Sequence, residues 1–154
     1  MAKGGVNLDV KGLDQVLEKF EKLTDQNFKP VVYSGAGVVA DEMKSQLKAL
    51  RTTEKPRGKS KRYVYPYEKQ VLEKQMGIAP IEDGVTCNTK VGFDGYYQNK
   101  RGDKRPVPLL ANSVNAGTSF LYKQPFLSKT ERACRDRAVE SMSKKVEQII
   151  EKEN

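Results

Sequence analysis

The sequence predicts an α+β domain in which helices cover one face of a small antiparallel β-sheet. Apolar residues recur at helical spacing in the first third and at the end of the chain, and a polar–apolar alternation with a turn sequence lies between them. There is no internal repeat. With 154 residues, the chain is long enough to form one domain, residues 1–154, whose core needs neither disulfide nor metal.

The N-terminal part predicts one strand and two helices. Residues 6–10 alternate between apolar and polar side chains, as in a short strand. Apolar side chains at helical spacing predict a short amphipathic helix over residues 13–23 and a longer one over residues 29–50. Gly35 and Gly37 weaken the second helix, but they would allow a neighbouring element to approach closely.

The middle of the chain predicts a β-hairpin over residues 78–93. The strand-like alternation in residues 85–93 follows a Glu-Asp-Gly sequence at residues 82–84. Asp-Gly between such runs is a strong local signal for a hairpin turn.

Two further helices are predicted after the hairpin. A short one contains Leu109 to Val114 and would be closed by Gly117 in a left-handed conformation. The long C-terminal helix is predicted from Lys129 to Lys152, with Ser128 and Glu131 as the capping box at its start.

Positive charge is concentrated in one segment. The formal net charge is +8 and the pI is about 9.4. Lys44 to Lys69 holds nine Lys and Arg against two Glu, a local charge of +7. Because residues 51–69 show no sustained periodicity and contain two prolines and a glycine, they predict a long, flexible basic loop, and such a charge favours a polyanionic or acidic partner.

Residue types needed for catalysis or metal binding are scarce. The chain has no His, which removes the commonest general base and zinc ligand. Cys87 and Cys134 lie in a strand pattern and on an apolar helical face, so they are interpreted as core residues. Turn chemistry accounts for Glu82, Asp83 and Asp94 better than a nuclease-like carboxylate cluster. We therefore expect no enzyme activity, no cofactor and no metal site.

The sequence predicts neither a signal peptide nor a transmembrane helix. The two cysteines are far apart and do not form a Cys-x-x-Cys motif, which favours reduced thiols over a disulfide. We expect no membrane partner.

Tyrosines alternate with cations in the basic loop, which leaves two interpretations open. The aromatic rings and charges could stack on bases and pair with phosphates of single-stranded nucleic acid. Alternatively, the tyrosines pack on the domain or on a neighbouring subunit. The candidate interaction residues are Arg57, Lys59, Lys61, Arg62, Tyr63, Tyr65 and Tyr67.

Four short motifs, taken together and in order, resemble a family of tailed-phage proteins. They are Met76-Gly77-Ile78-Ala79-Pro80, Val91-Gly92-Phe93-Asp94-Gly95-Tyr96, Gly117-Thr118-Ser119-Phe120 and Gln124-Pro125-Phe126-Leu127. The family is the HK-ninety-seven gene-ten-product-like family of tail components and head–tail connector (neck) proteins, found in phages and prophages of Gram-positive bacteria. The opening sequence, residues 8–23, also looks like the start of such a protein. One departure is Asn115, where the family often has an acidic residue, and it puts a salt bridge between subunits at this position in doubt.

The resemblance implies a structural role in the virion. Such proteins are similar to subunits that form oligomeric rings joining the tail to the DNA-filled head or completing the tail. The implied partners are copies of the same chain, other phage neck and tail proteins and, in passing, phage DNA. The implied location is the neck or tail of the virion, after synthesis in the cytoplasm of the bacterial host. The alternative is a small basic nucleic-acid-binding protein that uses Lys44 to Lys69.

Within this resemblance, residues 117–126 predict a rigid corner that orients the last helix. Gly117 would permit the reversal, and Phe120 and Phe126 would anchor its two sides unless they are plain core residues. The residues assigned to this corner are Gly117, Thr118, Phe120, Pro125 and Phe126. If the chain forms a ring, Arg51 to Tyr67 is expected to be poorly ordered in an isolated subunit or to reach across a subunit boundary.

Overall fold

A computed structural model describes residues 5–7, 28–81 and 88–153. The described residues form an α+β fold with a long C-terminal helix, as predicted. The elements are, in chain order, β1 (Gly5–Asn7), α1 (Phe28–Lys48), α2 (Pro66–Gln75), β2 (Met76–Ile78), β3 (Lys90–Phe93), β4 (Tyr96–Gln98), β5 (Lys104–Pro106), α3 (Val107–Ala116) and α4 (Phe126–Glu153).

The larger sheet has three strands in the order β1-β3-β2, and β3 pairs antiparallel with both neighbours. Ile78 lies opposite Val91, so the antiparallel pairing predicted for residues 78–93 is confirmed. The predicted turn at residues 82–84 lies outside the described residues, as do the predicted helix at residues 13–23 and most of the first predicted strand.

Helices α1 and α4 pack antiparallel and form the largest helix–helix interface in the described chain. Val31 near the start of α1 packs with Val146, whereas Glu42 near its end lies 2.7 Å from Arg137. A Cβ atom placed on Gly35 would lie 2.6 Å from the Met142 sulfur, so this glycine does allow the close approach expected from the sequence. The predicted helix 29–50 is confirmed, with ends shifted by one and two residues.

One buried stripe along α4 closes the core. Every fourth residue from Phe126 to Val146 is buried, and consecutive members of this series are neighbours on the helix surface because residues four apart lie one above the other. Phe126, at the start of this stripe, makes an edge-to-face contact with Phe93 of β3, with ring centroids 5.9 Å apart. The buried residues in this stripe are Phe126, Thr130, Cys134, Ala138, Met142 and Val146.

The predicted start of the last helix was wrong. Helix α4 begins at Phe126, so Ser128 lies inside the first turn and is not the N-cap. The backbone N–H of Leu127 instead donates to Asn115 Oδ1 at 3.1 Å. A side chain from α3 thus satisfies one of the free donors at the start of α4, and Asn115 has a role within a single chain.

Two elements were not predicted from the sequence. Helix α2 begins at Pro66, so the loop predicted for residues 51–69 ends at Tyr65. The other is the β4–β5 hairpin, in which Tyr97 lies opposite Arg105. Asn99 Oδ1 organises its turn by accepting hydrogen bonds from the backbone N–H groups of Arg101 and Asp103.

Candidate assembly surface

The two ends of the basic segment between α1 and α2 are hydrogen-bonded to each other. The Thr53 N–H donates to the carbonyl oxygen of Val64 at 2.9 Å, and the Tyr63 N–H donates to Thr53 Oγ1 at 3.0 Å. Between these attachments every residue from 54 to 61 is exposed. We call residues 54–61 the basic arm; it carries Lys55, Arg57, Lys59 and Lys61.

Arg62 holds the base of the basic arm to the rest of the chain. Its N–H donates to the Phe120 carbonyl at 2.9 Å, and its own carbonyl accepts from the Tyr122 N–H at 3.0 Å. Its guanidinium group lies 3.1 Å from the buried carboxylate of Glu68 and donates to the Tyr63 carbonyl. Arg62, predicted as an interaction residue, therefore has its charge engaged by Glu68 within the chain.

Tyr65 is enclosed by two cations. The Arg62 guanidinium carbon and Lys100 Nζ both lie 3.6 Å from the centre of its ring. Two groups at this distance cannot share one face of a ring, so they lie on opposite faces. Tyr67 stacks beside Tyr65 with centroids 5.9 Å apart. Both tyrosines are half-buried and pack within the chain, as in the second of the two interpretations given above.

Glu68 is 3 % exposed and sits among these aromatic side chains. Burial raises the pKa of its carboxyl above 4.5, although the nearby Arg62 opposes this rise. Burial, followed by the nearby charge of Glu68, raises the pKa of Tyr97 to about 12. The cluster is therefore a buried polar network that attaches α2 and the base of the basic arm to the core.

Lys69 is also used within the chain. Its Nζ donates to the carbonyl oxygens of Lys48 and Leu50, at 2.7 and 3.2 Å. The Lys48 carbonyl is among those left without helical partners at the end of α1, and Leu50 lies two residues beyond that end. Lys69 and Arg62, two of the nine cations in Lys44–Lys69, thus bind groups within the chain. The four cations of the basic arm are exposed.

The chain turns sharply at Gly117, between α3 and α4. Gly117 has φ +77° and ψ 161°, a region with positive φ that differs from the predicted left-handed cap and is open mainly to glycine. A Cβ atom there would lie 3.0 to 3.2 Å from Lys123, including its backbone. The Gln124 N–H donates to the Val114 carbonyl at 2.9 Å, which returns the chain to α3 before Pro125 leads into α4.

Phe120 does not anchor this turn, contrary to prediction, since 74 % of its surface is exposed. Thr118 Oγ1 accepts hydrogen bonds from the N–H groups of Phe120 and Leu121, which fixes the backbone that presents the ring. Tyr122, exposed to 44 %, lies against Tyr63 with ring centroids 4.9 Å apart. We call Tyr63, Phe120 and Tyr122 the aromatic ridge.

The aromatic ridge and the basic arm form one continuous surface because Arg62 links their backbones. The arm was predictable from its charge, and Tyr63 was assigned to the same set of candidate interaction residues. Phe120 was instead expected to anchor the turn or lie in the core, and Tyr122 was not singled out. The backbone bridge between Arg62 and Leu121, 59 residues apart in sequence, and the contact between the Tyr63 and Tyr122 rings bring the basic arm and the aromatic ridge together. We take this combined surface as the candidate assembly surface.

Other reactive groups of the described chain are accounted for by structure. Cys134 is a buried thiol, and burial raises its pKa. Asp94 Oδ1 accepts from the Gly95 N–H, as expected for a turn residue. Cys87, Glu82 and Asp83 lie outside the described residues. Within the described residues, no group of three or more potential ligands is placed to hold a metal ion, and none of the helices is long and apolar enough to cross a membrane.

Comparison with known proteins gives no match to this chain among family models, curated proteins or solved structures.

Proposed function

We propose that this chain is a structural subunit of a tailed-phage virion, a head–tail connector or tail-completion protein that assembles into a ring. The observation that carries the proposal is the aromatic ridge, where Phe120 and Tyr122 are exposed on a backbone fixed by hydrogen bonds. Aromatic side chains presented in this way are typical anchors of protein–protein interfaces. The sequence motifs that resemble tailed-phage proteins supply the biological setting.

A ring requires that one surface of each copy contacts a different surface of the next. In the proposed ring, the ridge is one of these surfaces. The basic arm then extends beside it, where its four cations would meet the neighbouring copy, another neck or tail protein, or DNA in the channel. On this proposal the protein is made in the host cytoplasm and acts in the virion neck or tail, without turning over a substrate.

Phe120→Ser should weaken self-association by about tenfold to a hundredfold. Burying a Phe side chain contributes about 1.5–3 kcal/mol, and this contribution is lost when Ser replaces it. Light scattering coupled to size exclusion, over a series of protein concentrations, measures the change. Leu109→Ser is a matched control, because Leu109 is a 52 % exposed apolar residue outside the ridge.

The proposal predicts discrete oligomers for the wild type and the Leu109 variant, and smaller species for the Phe120 variant. A wild-type chain that stays monomeric at all concentrations would contradict it, as would equal effects of the two substitutions. In the same samples, a DNA-binding titration against salt tests the alternative that Lys44–Lys69 makes the chain a nucleic-acid-binding protein.

A further inference from the structure

A cleft of about 370 Å³ opens beside the aromatic ridge, between the end of α1, Tyr63 and the first turn of α4. Its volume falls within the range of about 300–1,000 Å³ that is usual for ligand sites. The residues that line it are Gln46, Ala49, Leu50, Arg51, Tyr63, Lys123, Gln124, Pro125, Phe126 and Lys129.

The cleft is strongly positive. Arg51, Lys123 and Lys129 come from three different segments and line the same space, and the described lining contains no Asp or Glu. Elsewhere in the described chain, cations such as Arg137 and Lys144 lie against carboxylates, at 2.7 and 3.1 Å. Three cations gathered without an acidic residue raise the local concentration of anions.

Arg51 is held in position by two hydrogen bonds to the opposite wall. Its N–H donates to Gln124 Oε1 at 2.8 Å, and Gln124 Nε2 donates to its carbonyl oxygen at 3.2 Å. Its guanidinium group lies 3.4 Å from the Tyr63 hydroxyl. Arg51 is exposed and retains free guanidinium donors that can take an oxyanion.

An aromatic surface lies next to the cations. Tyr63 lines the cleft, and its ring contacts the exposed ring of Tyr122, with ring centroids 4.9 Å apart. A positive groove alone would suit any anion, whether a carboxylate of a protein or a phosphate. Cations beside an exposed aromatic ring favour nucleic acid, because phosphates pair with the charges and a base can stack on the ring.

We propose that this cleft binds the phosphodiester backbone of a nucleic acid, with Arg51, Lys123 and Lys129 on the phosphates and Tyr122 against a base. The site goes beyond the proposed structural function; because Tyr122 also belongs to the aromatic ridge, the site is available on a subunit whose ridge is not covered by another copy. It also differs from the predicted contact through the basic arm, since two of its three cations lie outside Lys44–Lys69.

The double variant Lys123→Gln/Lys129→Gln should bind a fluorescent twelve-residue oligothymidylate about tenfold more weakly than the wild type, measured by anisotropy in about 50 mM salt. The dependence of log K on log salt should become shallower by about 1.4, since each lost contact to a single strand contributes about 0.7. A duplex of the same length, run in parallel, identifies which form of nucleic acid the site prefers.

Lys144→Gln/Lys145→Gln is the control, because it removes two lysines from a part of α4 outside the cleft, one of them paired with Glu140. We expect this control to change the affinity for the oligonucleotide less than twofold. All variants should have the same thermal unfolding midpoint as the wild type. Tyr122→Leu should weaken binding to the single strand. The proposal is wrong if no variant differs from the wild type, if the control loses as much affinity as the cleft variant, or if polyglutamate of equal charge competes as well as the oligonucleotide does.

Discussion

Arg62→Met is expected to lower the free energy of unfolding at pH 7 by about 3 kcal/mol. The substitution leaves the buried carboxylate of Glu68 without its cation, and breaking a buried pair on one side costs about 3–5 kcal/mol. Protonation of Glu68 limits this cost. Protonating a carboxyl whose ordinary pKa is 4.5 costs about 3.4 kcal/mol at pH 7, so the loss of stability cannot greatly exceed this value. Urea unfolding at several pH values measures the effect.

The pH dependence of this loss has a defined sign. The pKa of Glu68 is raised in the folded chain, so the folded state binds more protons than the unfolded state between pH 4.5 and that raised value. Stability therefore falls as the pH rises through this window. Removing Arg62 raises the pKa of Glu68 further and extends the window upward, so the destabilisation by Arg62→Met should shrink as the pH approaches 4.5.

The double variant Arg62→Met/Glu68→Gln is the control. A neutral amide at residue 68 removes the uncompensated charge, so the double variant should recover most of the stability lost in Arg62→Met, with a coupling energy of about 2 kcal/mol. Glu68→Gln alone should cost about 1 kcal/mol or less, because Arg62 is partly exposed and can be rehydrated. Additive effects of the two substitutions would show that the pair is not coupled.

Gly117→Val is expected to lower the free energy of unfolding by at least about 3 kcal/mol. A side chain at φ +77° and ψ 161° costs about 1–3 kcal/mol by itself, and its Cβ atom would also press on the backbone of Lys123. Because the Gln124 N–H bonds to α3 across this turn, relief of the clash would disturb the start of α4. Thermal and urea unfolding report the loss.

Gly102→Val separates the cost of the positive φ from the cost of the steric clash with Lys123. Gly102 has φ +84°, but a Cβ atom there would meet nothing within 4 Å. It should therefore show the conformational cost alone, about 1–2 kcal/mol. A Gly117 variant no less stable than the Gly102 variant, and still assembling normally, would contradict the account of a rigid corner.

The elements with long apolar periodicity were predictable from the sequence. Helices α1 and α4 each carry a buried stripe several turns long, and their boundaries differ from the prediction by one to three residues. Helix α2 was missed because only Glu68 and Leu72 of its ten residues are buried, and the first of these is charged. The β4–β5 hairpin was missed because each of its strands is only three residues long and mostly exposed, too short for an alternating pattern to mark it.

The candidate surface was only partly predictable, because the exposure and pairing of its side chains depend on the tertiary structure. Charge counting located the basic arm, and the position of Gly117 indicated a turn. The exposure of Phe120 could not be read from its residue type, because an aromatic residue near a turn is more often buried. The internal use of Arg62 depends on Glu68, whose burial follows from the position of α2, an element that the sequence pattern did not reveal.

The central claim, that copies of this chain dock through the aromatic ridge, is tested most directly by photo-crosslinking from residue 120. A benzoylphenylalanine in place of Phe120 should yield covalent dimers and higher species, and mass spectrometry should locate the captured peptide outside residues 118–122 of the second copy, as a ring requires. The same label in place of Leu109 should give few dimers. A label at residue 120 that captures no second copy, or that captures only residue 120 of that copy, would contradict the account.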